Sequence, residues 1–541
     1  MRRSMVLVLS AAFAVPIAVV ASGSTGATTA APTGPAASVA AQSQTGHIGA
    51  PVLVNAQSSS KPFVPTKAQL AARAQALAGL ATHAAPSLGK HTSLADVKVS
   101  GGPQAGTGSQ APTTLTTFAN SLINSTCSGC GQSTVNEPEV ANNGKYVVET
   151  SNWNIAYTTS GGNKTITWLN QNPYALSSGF CCDQQVTYDP VRNIFLLLQL
   201  DYTTEGASTN GLTLLIAPGN KPTAWCSYHF AGAIGGGSTD TPDYPKIQLA
   251  NSDAYVTWND YPPNAGFARS GLARFPLDSL ATCAGFSYSD LTRTTEFTFA
   301  LSNAPSSLDT FYWVSNWMLD GTTNGSNMRI FHWAENSGTY FFNTIGINAY
   351  TFGTASCAWC ARLDPRYESV VITRAEYRAQ ANSAFAGDTI LEVATDAGPS
   401  SFSNGFNYVV YNYFKLNSLT YIGSDQLYST SEGFAYPGCA VNVEGYVGCA
   451  MADGASAPGG FILLQDNVNP LQPWGDDFVL SGVSSPSGGN WGDYVVTNTW
   501  NPAVGPFETV LWRVNGSTVQ PYYIVWGRGN EASAYKRWKG A

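Results

Sequence analysis

The stretch EPEVANNGKYVVET at residues 137–150 decides the fold, because DQQVTYDPVRNIFLLLQ at 183–199 and DYPKIQLANSDAYVTW at 243–258 repeat its pattern. Each stretch begins with an acidic residue and has a hydrophobic residue about three positions later. A turn rich in Asn, Asp, Pro or Gly then leads into a second apolar strand. Degenerate repeats of this kind are typical of architectures built from copies of one small sheet.

Weaker copies of the pattern begin at Asp309, Tyr436 and Trp491. Successive copies start roughly 45 to 75 residues apart, close to the size of one four-stranded propeller blade with its loops. A tandem of β-sandwich domains would also give short strands and frequent turns, but it does not require an acid-led phrase at this spacing. We therefore expect an all-β fold, a six- or seven-bladed β-propeller over residues 114–541.

The composition agrees with many short strands and argues against some partners. Aromatic residues make up 12% of the chain and charged residues 11%, with 53 Gly and 30 Pro, as expected for strands joined by tight turns. The formal net charge is -8, and only 26 residues are Lys or Arg. Binding a phosphate backbone needs a basic face that so few cations hardly supply, so we expect no nucleic-acid partner.

Residues 1–21 have the layout of a secretory signal peptide, with Arg2 and Arg3 followed by an apolar stretch and small residues. An uncut membrane anchor is the alternative. Residues 22–113 are rich in Ala, Ser, Thr and Gly, which predicts a disordered linker or pro-region in which residues 66–84 could form a short helix. We expect a protein that is secreted or held at the cell surface and has no membrane contact after signal cleavage.

The ten cysteines are even in number, and an exported protein is expected to pair them. CSGC at 127–130 and CAWC at 357–360 also have the spacing of zinc-binding halves or redox pairs, which would suit a protein of a reducing compartment. We predict bonds between Cys226 and Cys283 and between Cys439 and Cys449. The cysteines expected to form disulfides are Cys127, Cys130, Cys181, Cys182, Cys226, Cys283, Cys357, Cys360, Cys439 and Cys449.

Cys181 and Cys182 are adjacent and directly precede Asp183. They could form a vicinal disulfide or two separate bonds. A vicinal ring would offer a flat apolar surface on which a sugar could rest, whereas the alternative is a tether between two neighbouring loops. The candidate ligand-binding residues are this cysteine pair and three rings suited to stacking on sugar faces, Tyr244, Trp491 and Tyr494.

Acids recur at the start of the repeated phrases, where the innermost strand of each blade would begin near the central channel. A pair of carboxylates about 5 to 9.5 Å apart can hydrolyse a glycosidic bond. The same oxygens could hold a hard cation such as calcium, or each acid could simply cap a turn. The candidate catalytic residues are Glu137, Asp183, Asp243 and Asp493, with Asp309 and Asp364 as less secure members of the ring.

Four of the phrases resemble motifs of secreted bacterial sialidase-like propellers of the Asp-box (BNR) type. They are EPEVA at 137–141, DQQV at 183–186, DYPKI at 243–247 and WGDY at 491–494. The resemblance implies a propeller fold. The Arg-Ile-Pro type motif that supplies an arginine to grip sialic acid in such proteins is missing from this sequence.

These observations predict an exported, monomeric propeller that binds a glycan or another extracellular polymer at its channel mouth. One alternative is a sialidase-like glycoside hydrolase that uses a pair of channel-mouth carboxylates. Another is a structural or adhesive surface protein. No cofactor is predicted firmly, and calcium is the candidate.

Overall fold

The computed structural model describes the chain between residues 38 and 531, with gaps. The described residues are 38–59, 66–80, 115–123, 137–152, 154–159, 166–177, 179–303, 309–352, 359, 369–374, 389–443, 445–466, 474–486, 494–500, 505–516 and 518–531. Several sequence predictions concern residues outside these ranges: the signal peptide at 1–21, Cys127, Cys130, Cys357, Cys360, Asp364, Trp491 and Asp493.

Short elements precede the repeated phrases. They are β1 (Val39–Gln42), β2 (Gln44–Ile48), β3 (Val52–Asn55), β4 (Ser58–Ser59), α1 (Lys67–Leu80) and β5 (Leu115–Leu122).

Four antiparallel blades follow, each with its strands in chain order from the channel outward. Blade 1 contains β6 (Glu139–Asn142), β7 (Tyr146–Ser151), β8 (Asn154–Thr159) and β9 (Leu169–Gln171). Blade 2 contains β10 (Phe180–Asp189), β11 (Ile194–Asp201), β12 (Gly211–Pro218) and β13 (Ala224–Ala231). Blade 3 contains β14 (Thr241–Leu249), β15 (Asp253–Tyr261), β16 (Arg269–Pro276), the helix α2 (Leu277–Ala281) and β17 (Phe286–Arg293). Blade 4 contains β18 (Ala300–Asn303), β19 (Thr310–Ser315), β20 (Asn327–Ala334) and β21 (Thr339–Gly346).

Three further blades complete the ring. Blade 5 contains β22 (Ser369–Arg374), β23 (Thr389–Ala397), β24 (Tyr408–Lys415) and β25 (Thr420–Leu427). Blade 6 contains β26 (Gly433–Val441), β27 (Val447–Gly454), β28 (Gly459–Gln465) and β29 (Trp474–Leu480). Blade 7 contains β30 (Val496–Thr499), β31 (Phe507–Asn515) and β32 (Thr518–Arg528). Short 3-10 helices lie at Pro173–Ala175 and Gly529–Glu531.

The ring closes through the innermost strands and through one strand from the N-terminal side. Each innermost strand contacts the next around the ring, and β30 contacts β6. The fourth strand of blade 7 is β5, which pairs antiparallel with β32. The described residues thus form a seven-bladed β-propeller, which confirms the predicted fold class and fixes the blade number. Among them, no helix is both long and apolar enough to cross a membrane.

Apolar cores lie between neighbouring blades, and β11 shows how one strand serves two of them. Leu196 and Leu198 pack into the core shared with blade 3, whereas Phe195 and Leu197 pack into the core shared with blade 1. Successive side chains of a strand point to opposite faces, so a strand buried on both faces reads as a continuous apolar run. The run FLLLQL at 195–200 is therefore an interior strand of the ring.

Residues 38–59 run along the outside of four blades. The strands β1, β2, β3 and β4 pair antiparallel with the outermost strands of blades 4, 3, 2 and 1, respectively. The sequence predicted a linker across 22–113 with a possible short helix at 66–84. The described parts of that range form these four strands, which were not predicted, and α1, which lies within the range given for the helix. These four strands are held by backbone hydrogen bonds to the edge strands of the blades. They therefore need few apolar side chains to stay in place.

Candidate functional site

Five blades share an uncommon backbone conformation just before the innermost strand reaches the channel. In each, a residue other than glycine has a positive φ, between 47° and 65°. Residues with a Cβ atom rarely adopt a positive φ, because the Cβ atom crowds the backbone. Where the surrounding structure enforces this conformation, the residues are often at functional sites. The five residues are Glu137, Asp183, Tyr244, Thr298 and Tyr436, in blades 1, 2, 3, 4 and 6.

Side chains hold four of these left-handed residues in place by accepting a hydrogen bond from the backbone N–H. Three of the acceptors come from the preceding blade, and the fourth, Asp243, is the neighbouring residue. The donors and acceptors are Asp183 N to Asn152 Oδ1 (2.8 Å), Tyr244 N to Asp243 Oδ1 (2.9 Å), Thr298 N to Ser270 Oγ (2.7 Å) and Tyr436 N to Asp396 Oδ1 (2.9 Å).

The left-handed residue changes which side chain reaches the channel. In blades 2, 3 and 6 the left-handed residue and the residue after it are not paired with the neighbouring strand. Pairing resumes at the second residue after the left-handed one. Such a bulge re-aims the side chain that follows it. The residues at this second position are Glu139, Gln185 and Lys246 in blades 1 to 3, Ala300 and Gly438 in blades 4 and 6, and, by its position in the ladder, Val496 in blade 7.

These second-position residues line a central cavity of about 670 Å³, a volume that includes its part open to solvent. Two tyrosines, Tyr244 and Tyr494, also line it, and their rings meet edge to face with centroids 6.1 Å apart. The Lys246 ammonium lies 3.0 Å from the centroid of the Tyr494 ring and 5.0 Å from that of Tyr244. The cavity thus combines amide, carboxyl and ammonium groups with two aromatic rings.

Among the described residues, Glu139 is the acid that lines the cavity directly. Its side chain is buried, with 8% of the residue exposed. Burial raises the pKa of Glu139 to about 7, although the charge of Lys246 and a hydrogen bond with Gln185 act in the opposite direction. The carboxyl group can therefore both donate and accept a proton near neutral pH.

Glu137 and Asp183 flank the cavity and are joined through one amide. Asn152 donates from Nδ2 to Glu137 Oε2 (2.6 Å) and accepts from the N–H of Asp183. Burial, followed by the negative charges of Glu137 and Asp183, holds the pKa of Tyr494 well above its usual range. Tyr494 donates its hydroxyl to the carbonyl of Gln184 (3.5 Å). The sequence-predicted residues Glu137, Asp183 and Tyr494 are therefore close together.

Two other predicted acids have different places. Asp243 is half-buried, caps the turn at Tyr244 and does not line the cavity. Asp309 is exposed in the turn before β19, where its Oδ1 accepts from Asn251 Nδ2 (3.2 Å). Its phrase begins the second strand of blade 4, not the innermost one, so its place in the ring of acids was predicted wrongly.

The vicinal pair Cys181–Cys182 is disulfide-bonded, but it lies in the apolar core between blades 2 and 3. The two residues are 0% and 4% exposed, and neither lines the cavity. This position leaves no surface on which a ligand could rest, which corrects the ligand-facing placement expected from the sequence. The predicted bonds Cys226–Cys283 and Cys439–Cys449 are confirmed.

The sequence analysis missed the residues that line the cavity most directly, Glu139, Gln185 and Lys246. A signal for two of them was present in the sequence. In blades 1, 3 and 6 the left-handed residue is followed by proline and then by the cavity residue, as in Glu-Pro-Glu at 137–139 and Tyr-Pro-Lys at 244–246. Aligning the phrases on that proline would have aligned Glu137 with Tyr244, not with Asp243.

A bound cation was a second expectation for the acids. Within the described ranges, no group of three or more His, Cys, Asp or Glu side chains is placed to hold a metal ion.

Comparison with known proteins finds likenesses of low identity among solved structures. No family model matches the chain. No curated protein matches it. A protein of unknown function from Dyadobacter fermentans is 7% identical, with a TM-score of 0.40 over 77% of this chain and 100% of that one.

Two other solved structures are similar at the same level. A polysaccharide lyase, an ulvan lyase, is 9% identical, with a TM-score of 0.42 over 78% of this chain and 99% of that one. A sialidase from Streptococcus pneumoniae is 8% identical, with a TM-score of 0.36 over 65% of this chain and 68% of that one. All three TM-scores are below 0.5, so these similarities support no conclusion about this chain.

Proposed function

We propose that this chain is an exported β-propeller that binds a glycan, or another polymer rich in hydroxyl groups, in its central cavity. One observation carries the proposal. Three consecutive blades present Glu139, Gln185 and Lys246 at the same structural position, beside the rings of Tyr244 and Tyr494. Ligand sites commonly combine a concave surface with a few convergent polar groups of this kind.

The chemistry of the lining suits a sugar. Hydroxyl groups of a sugar both donate and accept hydrogen bonds. The Gln185 amide, and the Glu139 carboxyl group when protonated, can also do both. A tyrosine ring can pack against the apolar face of a sugar while its hydroxyl stays hydrogen-bonded. Part of the cavity is open to solvent, so the end of a sugar chain could enter it.

Export is supported by the disulfides. Cys226–Cys283 and Cys439–Cys449 join strands of the propeller, and such bonds persist mainly in oxidising compartments. A ligand outside the cell therefore fits the chemistry of the chain.

A glycoside hydrolase is the second candidate, and the state of Glu139 favours it. A hydrolase needs one carboxyl group that is protonated near neutral pH and another that is ionised. Glu139 would be the acid, because its pKa is raised to about 7. Glu137 or Asp183 would be the second carboxyl group.

Binding and turnover can be separated with one panel of oligosaccharides. The wild-type protein and Glu139→Gln are titrated against neutral, N-acetylated, amine-bearing and acidic oligosaccharides, and the products are analysed by chromatography. Asp309→Asn is the control, because Asp309 is exposed and does not line the cavity.

Binding by the wild type without products supports the binding function. Products that disappear in Glu139→Gln, with affinity retained, would favour the hydrolase. Failure of the wild type to bind any member of the panel contradicts both functions.

A further inference from the structure

The vicinal disulfide Cys181–Cys182 lies directly before the left-handed turn of blade 2. This turn consists of Asp183, which has a φ of 52°, and Gln184, and neither residue pairs with β11. Pairing resumes at Gln185, whose side chain lines the cavity. The backbone torsions of the turn therefore decide where the Gln185 side chain points.

The same turn places a backbone carbonyl group beside the cavity. The carbonyl oxygen of Gln184 accepts hydrogen bonds from Gln185 Nε2 (3.3 Å) and from Tyr494 Oη (3.5 Å). Gln185 and Tyr494 both line the cavity. A rotation of this carbonyl group would break both hydrogen bonds and release two lining side chains.

Four other blades restrict the second turn residue, the one that follows the left-handed residue, through its side chain. In blades 1, 3 and 6 this residue is a proline: Pro138, Pro245 and Pro437. The proline ring fixes its own φ and disfavours the right-handed helical conformation of the residue before it. In blade 4 it is Phe299, which is 1% exposed and packs edge to face on Phe331 with ring centroids 5.4 Å apart.

Blade 2 restricts its second turn residue in neither way. The Gln184 side chain is fully buried, and its amide nitrogen and oxygen have no hydrogen-bond partner among the described residues. A buried amide without a partner destabilises the fold and supplies no hydrogen bond to hold the turn. Blade 2 differs from the other four in having a covalent ring before the turn. The Cys181–Cys182 disulfide closes that ring across one peptide bond and so restricts the backbone torsions at the entrance to the turn.

We infer that the Cys181–Cys182 disulfide is a positioning element of the cavity: it holds the turn of blade 2 so that Gln185 enters the cavity, as proline does in blades 1, 3 and 6. This inference rests on the proposed glycan-binding function, because it concerns one wall of that site. The disulfide itself stays in the apolar core and does not touch the ligand. A turn that is already restricted before binding loses less conformational freedom when the ligand binds, which raises the affinity.

Hydrogen exchange followed by mass spectrometry tests the inference without a ligand. The N–H of Asp183 donates to Asn152 Oδ1 (2.8 Å), so its exchange rate reports on the turn. In the variant Cys181→Ala/Cys182→Ala, the amides of residues 183–187 are expected to exchange about tenfold faster than in the wild type, because the turn opens locally more often.

The matched control is Cys226→Ala/Cys283→Ala. It removes a disulfide that packs on the same apolar core as the vicinal pair. The control should leave the exchange of residues 183–187 unchanged, because its cysteines do not adjoin the turn.

Rescue by proline separates a positioning role from a general loss of packing. Residue 184 is not paired with β11, so Gln184→Pro removes no hydrogen bond of the strand ladder. Added to Cys181→Ala/Cys182→Ala, this substitution should return the exchange of the remaining amides to the wild-type rate. On the panel of neutral, N-acetylated, amine-bearing and acidic oligosaccharides, the double variant should bind about tenfold more weakly than the wild type, and the triple variant should bind as the wild type does.

The outcomes separate the inference from the function on which it rests. Unchanged exchange or unchanged affinity in the double variant, or no recovery with Gln184→Pro, would overturn the positioning role and leave glycan binding standing. If the wild type binds no oligosaccharide of the panel, the glycan-binding function fails, and the exchange rates still decide whether the disulfide holds the turn.

A second variant provides the test if the double variant does not fold. Gln184→Pro in the otherwise unchanged chain should alter the exchange of the remaining amides at 183–187 by less than about twofold, because the disulfide already restricts the turn. A tenfold slowing would show that the turn is unrestrained despite the disulfide, and would overturn the inference.

Discussion

Blades 1 to 3 differ from blades 4, 6 and 7 at one structural position. Two residues after the turn into the innermost strand, the first group has Glu139, Gln185 and Lys246, and the second has only small or apolar residues. The left-handed turn itself recurs in blades of both groups. The left-handed turn is therefore a feature of the fold and not of one group of blades. Glu139, Gln185 and Lys246 differ from their counterparts in side chain, and together they form the polar wall on one side of the channel.

Close packing explains part of the difference. A Cβ atom at Gly438 would lie 2.1 Å from the carbonyl oxygen of Val495 and 3.1 Å from the Cα atom of Val496. Blades 6 and 7 thus approach each other so closely that blade 6 has no room for a side chain there. Blades 6 and 7 thus pack backbone against backbone at this position, whereas blades 1 to 3 place polar side chains in the cavity.

The two groups of blades meet at the interface between blades 7 and 1. Substitutions there are expected to have the largest effect on the free energy of unfolding. Glu149 faces the core shared by these blades, and Glu508 accepts hydrogen bonds from Tyr523 Oη (2.7 Å) and Asn142 Nδ2 (3.1 Å). Both carboxyl groups are fully buried, and burial raises the pKa of each to about 8. In contrast with the cavity acids, these two groups lie at an apolar interface between blades.

Stability should therefore fall as the pH rises. Each carboxyl has an ordinary pKa of 4.5 when unfolded and about 8 when folded, so between these values the folded chain holds protons that the unfolded chain has lost. The free energy of unfolding decreases through this window and levels off above about pH 8. The variant Glu149→Gln/Glu508→Gln should be more stable than the wild type above that pH by on the order of 10 kcal/mol, since the pKa of each of the two groups rises by about 3.5 and one pKa unit corresponds to about 1.4 kcal/mol.

Urea unfolding of the wild type and the double variant across the pH range measures this effect. Asp309→Asn is the control, because that acid is exposed and should leave the pH dependence unchanged. An identical pH dependence in the wild type and the double variant would show that the interface carboxyls are not protonated in the folded chain.

The next largest effect concerns the close approach in blade 6. Gly438→Ala should lower the free energy of unfolding by about 3 kcal/mol, because the added methyl group collides with the backbone before β30. Gly346→Ala is the matched control, since nothing lies within 4 Å of its Cβ position, and it should change stability by less than about 0.5 kcal/mol. Equal losses in the two variants, measured by chemical denaturation, would contradict the packing explanation.

A smaller effect tests the polar wall itself. Gln185→Ala removes one hydrogen-bonding side chain from the cavity and should weaken glycan binding about tenfold, or about 1.4 kcal/mol. Val496→Ala, at the equivalent position of blade 7, should change the affinity by less than about twofold. Titration with whichever oligosaccharide the wild type binds distinguishes them, and a greater loss in Val496→Ala would reverse the assignment of the two sides.

The propeller could be predicted from the sequence because strand, turn and strand recur within each short phrase. Two disulfides were predictable as well, Cys226–Cys283 and Cys439–Cys449. The outer strands at 38–59 were not, because pairing along a sheet edge uses backbone groups that every residue has. Their composition resembles that of a linker for this reason.

The site was located only in part. Tyr244 and Tyr494 line the cavity, whereas Glu137 and Asp183 flank it. The acid-led alignment was shifted by one residue in blade 3, where Asp243 caps the turn and Tyr244 takes the left-handed conformation. Periodicity does not show where a strand bulges, and one bulge changes which residue faces the channel.

The most direct test of the polar wall is a crystal structure of the protein with an oligosaccharide bound. The sugar is expected in the central cavity, with hydroxyl or amino groups within hydrogen-bonding distance of Glu139 and Gln185 and a sugar ring near Tyr494. A sugar bound on the loops of blades 4 to 6, with the cavity left without ligand, would contradict the account.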